Sequence, residues 1–233
     1  MYTLDTLMSM YDDSMPGTMD YVLSEYFLKN ALSLHHKRLI DVSQRTHASS
    51  SSIIRFCKSG GYQSFSLFCD IVFQEAKQID HDLRHVQGHF ENNKMTDVLV
   101  KALKQTNHLI LYGDVGYIHL FYKLSQYLFL HGVAVDQCQC WQRKKYDDVF
   151  ECMDESDVIM IVEPHYSLPI FLEEMGTSGR FNKMDEMIAQ KFYLSGSDQS
   201  FNDIRGIAIE KSDDDYVSSC IELSHSLIER LRE

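Results

Sequence analysis

Proline and glycine are scarce, with 3 and 11 in 233 residues, while 44% of the chain is hydrophobic and 24% charged. That balance excludes a fibrous or low-complexity chain and describes one that folds. No apolar run approaches the ~18 residues a membrane span needs. The opening Met1-Tyr2-Thr3-Leu4-Asp5 has neither the basic start nor the apolar stretch of a secretory signal. A cytoplasmic protein without a membrane partner is expected. Six cysteines occur, Cys57, Cys69, Cys138, Cys140, Cys152 and Cys220, yet no CxxC pair, so the usual zinc and redox spacing is missing. Reduced, mostly buried thiols are expected. Cys138 and Cys140 alternate along Val133–Cys140, which places them on one strand face as packing residues. Neither a metal nor a cofactor is expected.

Positive charge is also in short supply. Lys and Arg number 22 against 34 Asp and Glu, a formal net charge of -12, which opposes contact with phosphates. The distribution changes that reading. Residues 1–90 carry 8 basic and 10 acidic side chains, whereas 91–233 carry 14 and 24. Between 29 and 69 stand Lys29, Lys37, Arg38, Arg45, Arg55 and Lys58, with Asp41 as the only acid. A local positive patch of this kind is the electrostatic footprint of a DNA-facing surface.

The length suits two modest domains, each with its own core. Leu4, Leu7, Met8 and Tyr11 recur at helical spacing, Pro16-Gly17 interrupts, and Val22, Leu23, Tyr26 and Phe27 predict a second helical stripe. Leu39–Arg45, the turn Thr46-His47-Ala48 and Ser49–Lys58 predict two short helices in tandem. Ser49 is placed to cap the second, and Gly60-Gly61 to close it with positive φ. A further helix is expected from Phe65 to about Gln78, and a polar, His-rich connector from Asp80 to Asn93. From about Met95 onward, apolar runs at Leu109–Tyr112, Val133–Val135, Val158–Val162, Lys191–Leu194 and Gly206–Ile209 alternate with helical stretches, clearest at His119–Leu130 and Asp215–Leu231. That alternation predicts a parallel sheet covered by helices on both faces. The expected organisation is an all-helical N-terminal domain over 1–79, a connector over 80–94, and a doubly wound α/β domain over 95–233.

A helix that reads the major groove needs small or polar side chains at its exposed N-terminal turn. Ser50, Ser51 and Ser52 fit that need. Ile53, Ile54 and Phe56 would anchor the other side, and Arg55 and Lys58, with Lys37 and Arg38, would reach phosphates. Periodicity alone is equally compatible with an ordinary helical hairpin whose serines are solvated.

The stretch Val42–Tyr62, with Ser49, Arg55, Phe56, Cys57, Lys58, Gly61 and then Phe65, resembles the N-terminal helix-turn-helix domain of RpiR-type transcription regulators. The resemblance covers residues 1–77. It implies double-stranded DNA as partner, a C-terminal sugar-isomerase (SIS) domain of doubly wound α/β fold, and a sugar or sugar phosphate as effector. It also implies control of carbohydrate-related genes, a homodimer or homotetramer, and no catalysed reaction. Dimerisation agrees with geometry, because one small helix-turn-helix contacts few bases.

The second domain departs from that family's pattern. SIS domains carry a glycine-rich turn ending in Ser after the first strand, where amides and a hydroxyl can approach phosphate. Here the turn reads Tyr112-Gly113-Asp114-Val115-Gly116-Tyr117, with Tyr117 near the expected Ser and Asp114 adding negative charge. After the third run stands Glu163-Pro164-His165-Tyr166-Ser167, where Ser167 is the one hydroxyl and Glu163 repels anions; Ser195-Gly196-Ser197 remains as a small polar turn. The candidate effector residues are therefore Gly113, Asp114, Gly116, Tyr117, Ser167, Ser195 and Ser197. The expected outcome is either a less anionic ligand or a domain kept mainly for dimerisation. The rival readings are a phosphosugar isomerase and an interaction module without DNA binding.

Other groupings carry weaker signals. His81, His85 and His89 would share a face on a continuous helix, but no Cys or carboxylate is clearly arranged with them and Gly88 weakens the helix. Trp141-Gln142-Arg143-Lys144-Lys145 reads as a solvated basic loop or a contact surface. Asp213-Asp214-Asp215 reads as the acidic start of a helix.

Overall fold

The first element forms because Leu4, Leu7, Met8 and Tyr11 lie on one face of α1 (Thr3–Asp13), and all four are buried. The computed structural model describes residues 3–90, 94–139, 153–162, 189–195, 204–208 and 213–233. Its contacts divide the chain into two units, one of residues 1–85 with 126–134 and the other of 86–125 with 135–233.

In the first unit, α1 is followed by α2 (Met19–Lys29), a 3₁₀ turn (Ala31–His36), α3 (Leu39–Thr46), α4 (Ser50–Ser59) and α5 (Phe65–Leu83). Thr18 caps α2 by accepting from the Tyr21 amide. The buried stripe of α2 is Leu23, Ser24, Phe27 and Leu28, and Val22 and Tyr26 are half-buried. It is turned away from the expected stripe because the Phe27 ring meets Phe56 and Phe68, with centroids at 5.7 and 4.7 Å. That cluster joins α2, α4 and α5, and aromatic pairs of this geometry add about 1 kcal/mol each beyond their buried area. Tyr11 stacks on Tyr21 at 4.4 Å, their hydroxyls lie 2.7 Å apart, and Tyr11 meets the edge of Phe129 at 5.4 Å.

Helix α5 outruns the expected end near Gln78 by about a turn. Ala76, Asp80 and Leu83 continue its buried face, and Arg84 donates from Nε and a terminal nitrogen to Asp80 at 3.0 and 2.6 Å. The helix stops at Leu83, so His81, His85 and His89 do not share one helix. Among the described residues no group of three or more His, Cys, Asp or Glu is placed to hold a metal ion.

The second unit carries α6 (Lys94–Gln105), β1 (His108–Gly113), α7 (Val115–Ile118), a 3₁₀ turn (His119–Phe121) and the start of α8 (Tyr122–Leu130). β2 (Ala134–Gln139), β3 (Val158–Val162), β4 (Gln190–Ser195), β5 (Ile204–Ala208) and α9 (Asp213–Arg232) follow. All five expected strands form. The order is β2-β1-β3-β4-β5, and the β1–β3, β3–β4 and β4–β5 pairings are parallel. The order reverses between β1 and β3, which is the mark of a doubly wound sheet. Every residue of β3 is buried, as expected for a strand covered on both faces. Gly88 is held by close approach, since a Cβ there would lie 2.1 Å from the Ser226 amide of α9. Its own amide donates to Glu229 at 3.2 Å. Cys138 is buried in β2; Cys140, the 141–145 cluster and the side chains of Asp213, Asp214 and Asp215 lie outside the described residues. No described helix is long and apolar enough to cross a membrane.

Candidate functional site

The tandem short helices form as the sequence predicts, and the turn between them has a defined chemistry. His47 adopts φ 56, the left-handed region. Thr46 donates its hydroxyl to the Val42 carbonyl at 2.8 Å, and Ser43 donates to the Ala48 carbonyl at 2.6 Å. Ala48 is buried beneath the turn. Ser49 then caps α4, its hydroxyl accepting from the Ser52 amide at 3.1 Å. Its oxygen also lies 2.9 Å from both the Ser51 and Ser52 hydroxyls. Three of the four serines thus form one hydroxyl cluster at the head of the helix, with Ser49, Ser50 and Ser51 exposed and Ser52 half-buried.

The opposite side of α4 anchors it. Ile53, Phe56 and Cys57 are buried, whereas Ile54, expected to join them, is half-buried. Helical geometry explains the exchange: 53, 56 and 57 share a face and 54 lies about 100° around from 53. Arg55 and Lys58 are exposed. Gly61 takes φ 88, while Gly60 has φ -75 and needs no special freedom.

Arg38 and Lys37 differ in their surroundings. The Arg38 guanidinium forks onto Asp41 at 3.1 and 2.9 Å, and the Arg38 amide donates to the same carboxylate at 3.0 Å. These bonds hold the Asp41 carboxyl below the usual carboxylate range and raise Arg38 further. Lys37 instead lines an open hollow of about 530 Å³ with Tyr26, Ser33, His36, Asp41, Gln44 and Arg45. Of these, only Lys37 is among the sequence-predicted site residues. Arg45 was signalled by the basic window, but Tyr26 carries no sequence signal, because only the packing of α2 beside α3 brings it there.

In the second unit the candidate effector turn sits at the reversal of strand order. In doubly wound sheets, ligands bind outside the carboxyl ends of the strands at that point. Gly113 ends β1 opposite Val162, which ends β3, and a Cβ on Gly113 would lie 2.0 Å from the Val162 carbonyl oxygen. Asp114 caps α7, its carboxylate accepting from the Gly116 amide at 2.8 Å. The chain's own carboxylate therefore uses an amide that an incoming anion would otherwise use. Tyr117 stands edge-on to Tyr216 at 5.5 Å. Gly113, Asp114, Gly116 and Tyr117 are brought together on this turn. Ser195 ends β4 with its side chain outside the described set, and Glu163, Ser167 and Ser197 also lie outside the described residues.

No family model matches the chain, and no curated protein matches it. Among solved structures, the Vibrio vulnificus NanR protein complexed with ManNAc-6P aligns over 98% of this chain and 90% of its own, at 16% identity and a TM-score of 0.43. A likeness of that degree fixes neither a family nor a function.

Proposed function

We propose that the protein is a cytoplasmic, duplex-DNA-binding transcription regulator of the RpiR type. It acts as a homodimer or homotetramer, controls carbohydrate-related genes and catalyses no reaction. The observation that carries this reading is helix α4. Its N-terminal turn presents exposed, mutually bonded serine hydroxyls, Arg55 and Lys58 stand in solvent, and Ile53, Phe56 and Cys57 fix the other face in the core. Small hydroxyl-bearing residues let a helix end approach base edges, and the flanking cations supply phosphate contacts. Ser49, Ser50, Ser51 and Ser52 take the groove-facing role, and Lys37, Arg38, Arg55 and Lys58 the backbone role.

The α/β unit is, in this reading, an SIS-like module with an altered phosphosugar site. Asp114 supports the alteration, because its carboxylate already occupies the Gly116 amide and repels a second anion. The module either takes a less anionic ligand than a sugar phosphate or serves dimerisation.

Footprinting on the promoter region of the protein's own gene, with the full chain, tests the reading. Arg55→Ala and Lys58→Ala are expected to weaken binding to all sequences and reduce its salt dependence, whereas Ser51→Ala alters sequence preference. Melting temperatures of the variants separate lost contacts from lost folding. Absence of duplex binding even at low ionic strength would leave an interaction module instead.

A further inference from the structure

We propose that the hollow between α2, the first 3₁₀ turn and α3 seats a phosphate of the duplex backbone, with Lys37, Arg45 and Tyr26 as its ligands. This rests on the regulator reading and adds to it a contact site centred on residues other than the serine helix. Three observations carry it.

The lining is mostly of donors. An ammonium, a guanidinium, a phenol, an imidazole and an amide are supplied by Lys37, Arg45, Tyr26, His36 and Gln44, while the Ser33 hydroxyl already donates to the Asn30 carbonyl at 3.0 Å. Among the described residues, neither the Lys37 ammonium nor the Arg45 guanidinium is in a salt bridge or side-chain hydrogen bond, and both sit in a chain with a net charge of -12. Lys37 acts on Asp41 through space without bonding to it, and two cations with no bonded acid, on the rim of one concavity in an acidic protein, fit an external anion.

The single acid of the lining is compensated in part. Asp41 is gripped by the Arg38 fork and by the Arg38 amide, while its charge is still felt at Lys37 and Tyr26. Arg38 itself does not line the hollow, and its exposed guanidinium keeps the backbone role given above. Tyr26 keeps its proton, because burial pushes the phenol up more than the nearby Arg45 lowers it, and a neutral phenol can donate to a phosphate oxygen.

Size and place favour a strand over a small ion. The volume of about 530 Å³ exceeds what a single phosphate fills and accommodates a phosphodiester with its sugar. The hollow is built on α3, the helix immediately before α4. In helix-turn-helix docking the helix preceding the reader crosses the backbone.

The test uses the full chain, a random-sequence duplex and fluorescence anisotropy at several salt concentrations. Arg45→Gln and Lys37→Gln are each expected to lower affinity several-fold and to make the slope of log K against log salt shallower by about one. Tyr26→Phe is expected to lower affinity with the slope unchanged, since the phenol carries no charge. Lys104→Gln, an exposed cation of α6, is the control and leaves the slope as it is. A wild-type slope in both charge variants overturns the hollow and leaves the regulator reading standing. A wild-type chain that ignores the duplex overturns both. Inorganic phosphate provides the second arm, read at the Arg45 side-chain resonance by NMR. If it binds at sub-millimolar concentration while the variants leave duplex affinity intact, the source is a free phosphate and the duplex assignment falls.

Discussion

The Asp114 carboxylate accepts a hydrogen bond from the Gly116 amide at 2.8 Å, across the turn that leaves the sheet where its strand order reverses. A capping carboxylate stabilises the start of α7 and excludes a second negative charge from the same amide.

Replacing the charge while keeping a cap separates those two effects. Asp114→Ser is expected to retain the fold and gain affinity for phosphate, read as a larger rise in melting temperature with inorganic phosphate or a hexose phosphate than wild type shows. Strong stabilisation of the wild type by an ordinary hexose phosphate would show that the turn still takes an anion.

Gly113 offers a test of the sheet itself. A Cβ there would meet the Val162 carbonyl oxygen at 2.0 Å, and backbone cannot yield as a side chain does. Gly113→Ala is expected to cost at least the ~1–3 kcal/mol of ordinary overpacking, measured by urea unfolding. A variant as stable as wild type would mean that β1 and β3 separate there at little cost.

Ser49 serves both the helix and the proposed interface. Ser49→Ala removes the acceptor of the Ser52 amide and is expected to cost about 1 kcal/mol. Ser49→Asp keeps an acceptor and suits the helix N-terminus, so stability is retained, yet a negative charge there opposes a phosphate backbone. The expected pair of results is a destabilised alanine variant and a stable aspartate variant that binds duplex DNA weakly. A stable aspartate variant with full affinity would remove the head of α4 from the interface.

Burial pushes the Cys57 thiol up to about 11 and Cys69 and Cys220 up to about 12. At pH 8 all three are thiols in the folded chain, and iodoacetamide is expected to label none of them until denaturant is added, by peptide mapping. Because the folded values lie above the unfolded value, near 9.0, the stability they reflect is intact below pH 9. It is lost as pH rises toward 11, so the melting temperature should fall across that interval. Rapid native labelling of Cys57 would contradict its burial against the α4 core.

Much of this architecture was legible in the residues. Five apolar runs became five strands because a strand covered on both faces has no polar alternation to conceal it. Ser49 was readable as a cap because capping is chemistry within one turn. Harder to read was anything that depended on a partner brought from elsewhere. The stripe of α2 turned toward Leu28 because Phe56 and Phe68 lie beside Phe27, and α5 ran on to Leu83 because Asp80 and Leu83 found burial and Asp80 gained the Arg84 fork.

The chain's own order of residues decided where helices and strands begin and where hydroxyls cluster at the head of α4. All of these follow from periodicity and short-range hydrogen bonding. Tertiary structure alone decided that Tyr26 joins Lys37 and Arg45 around one hollow and that Gly113 lies against Val162. Those relationships depend on side-chain geometry or on distances between elements that packing creates, and no local pattern encodes such distances.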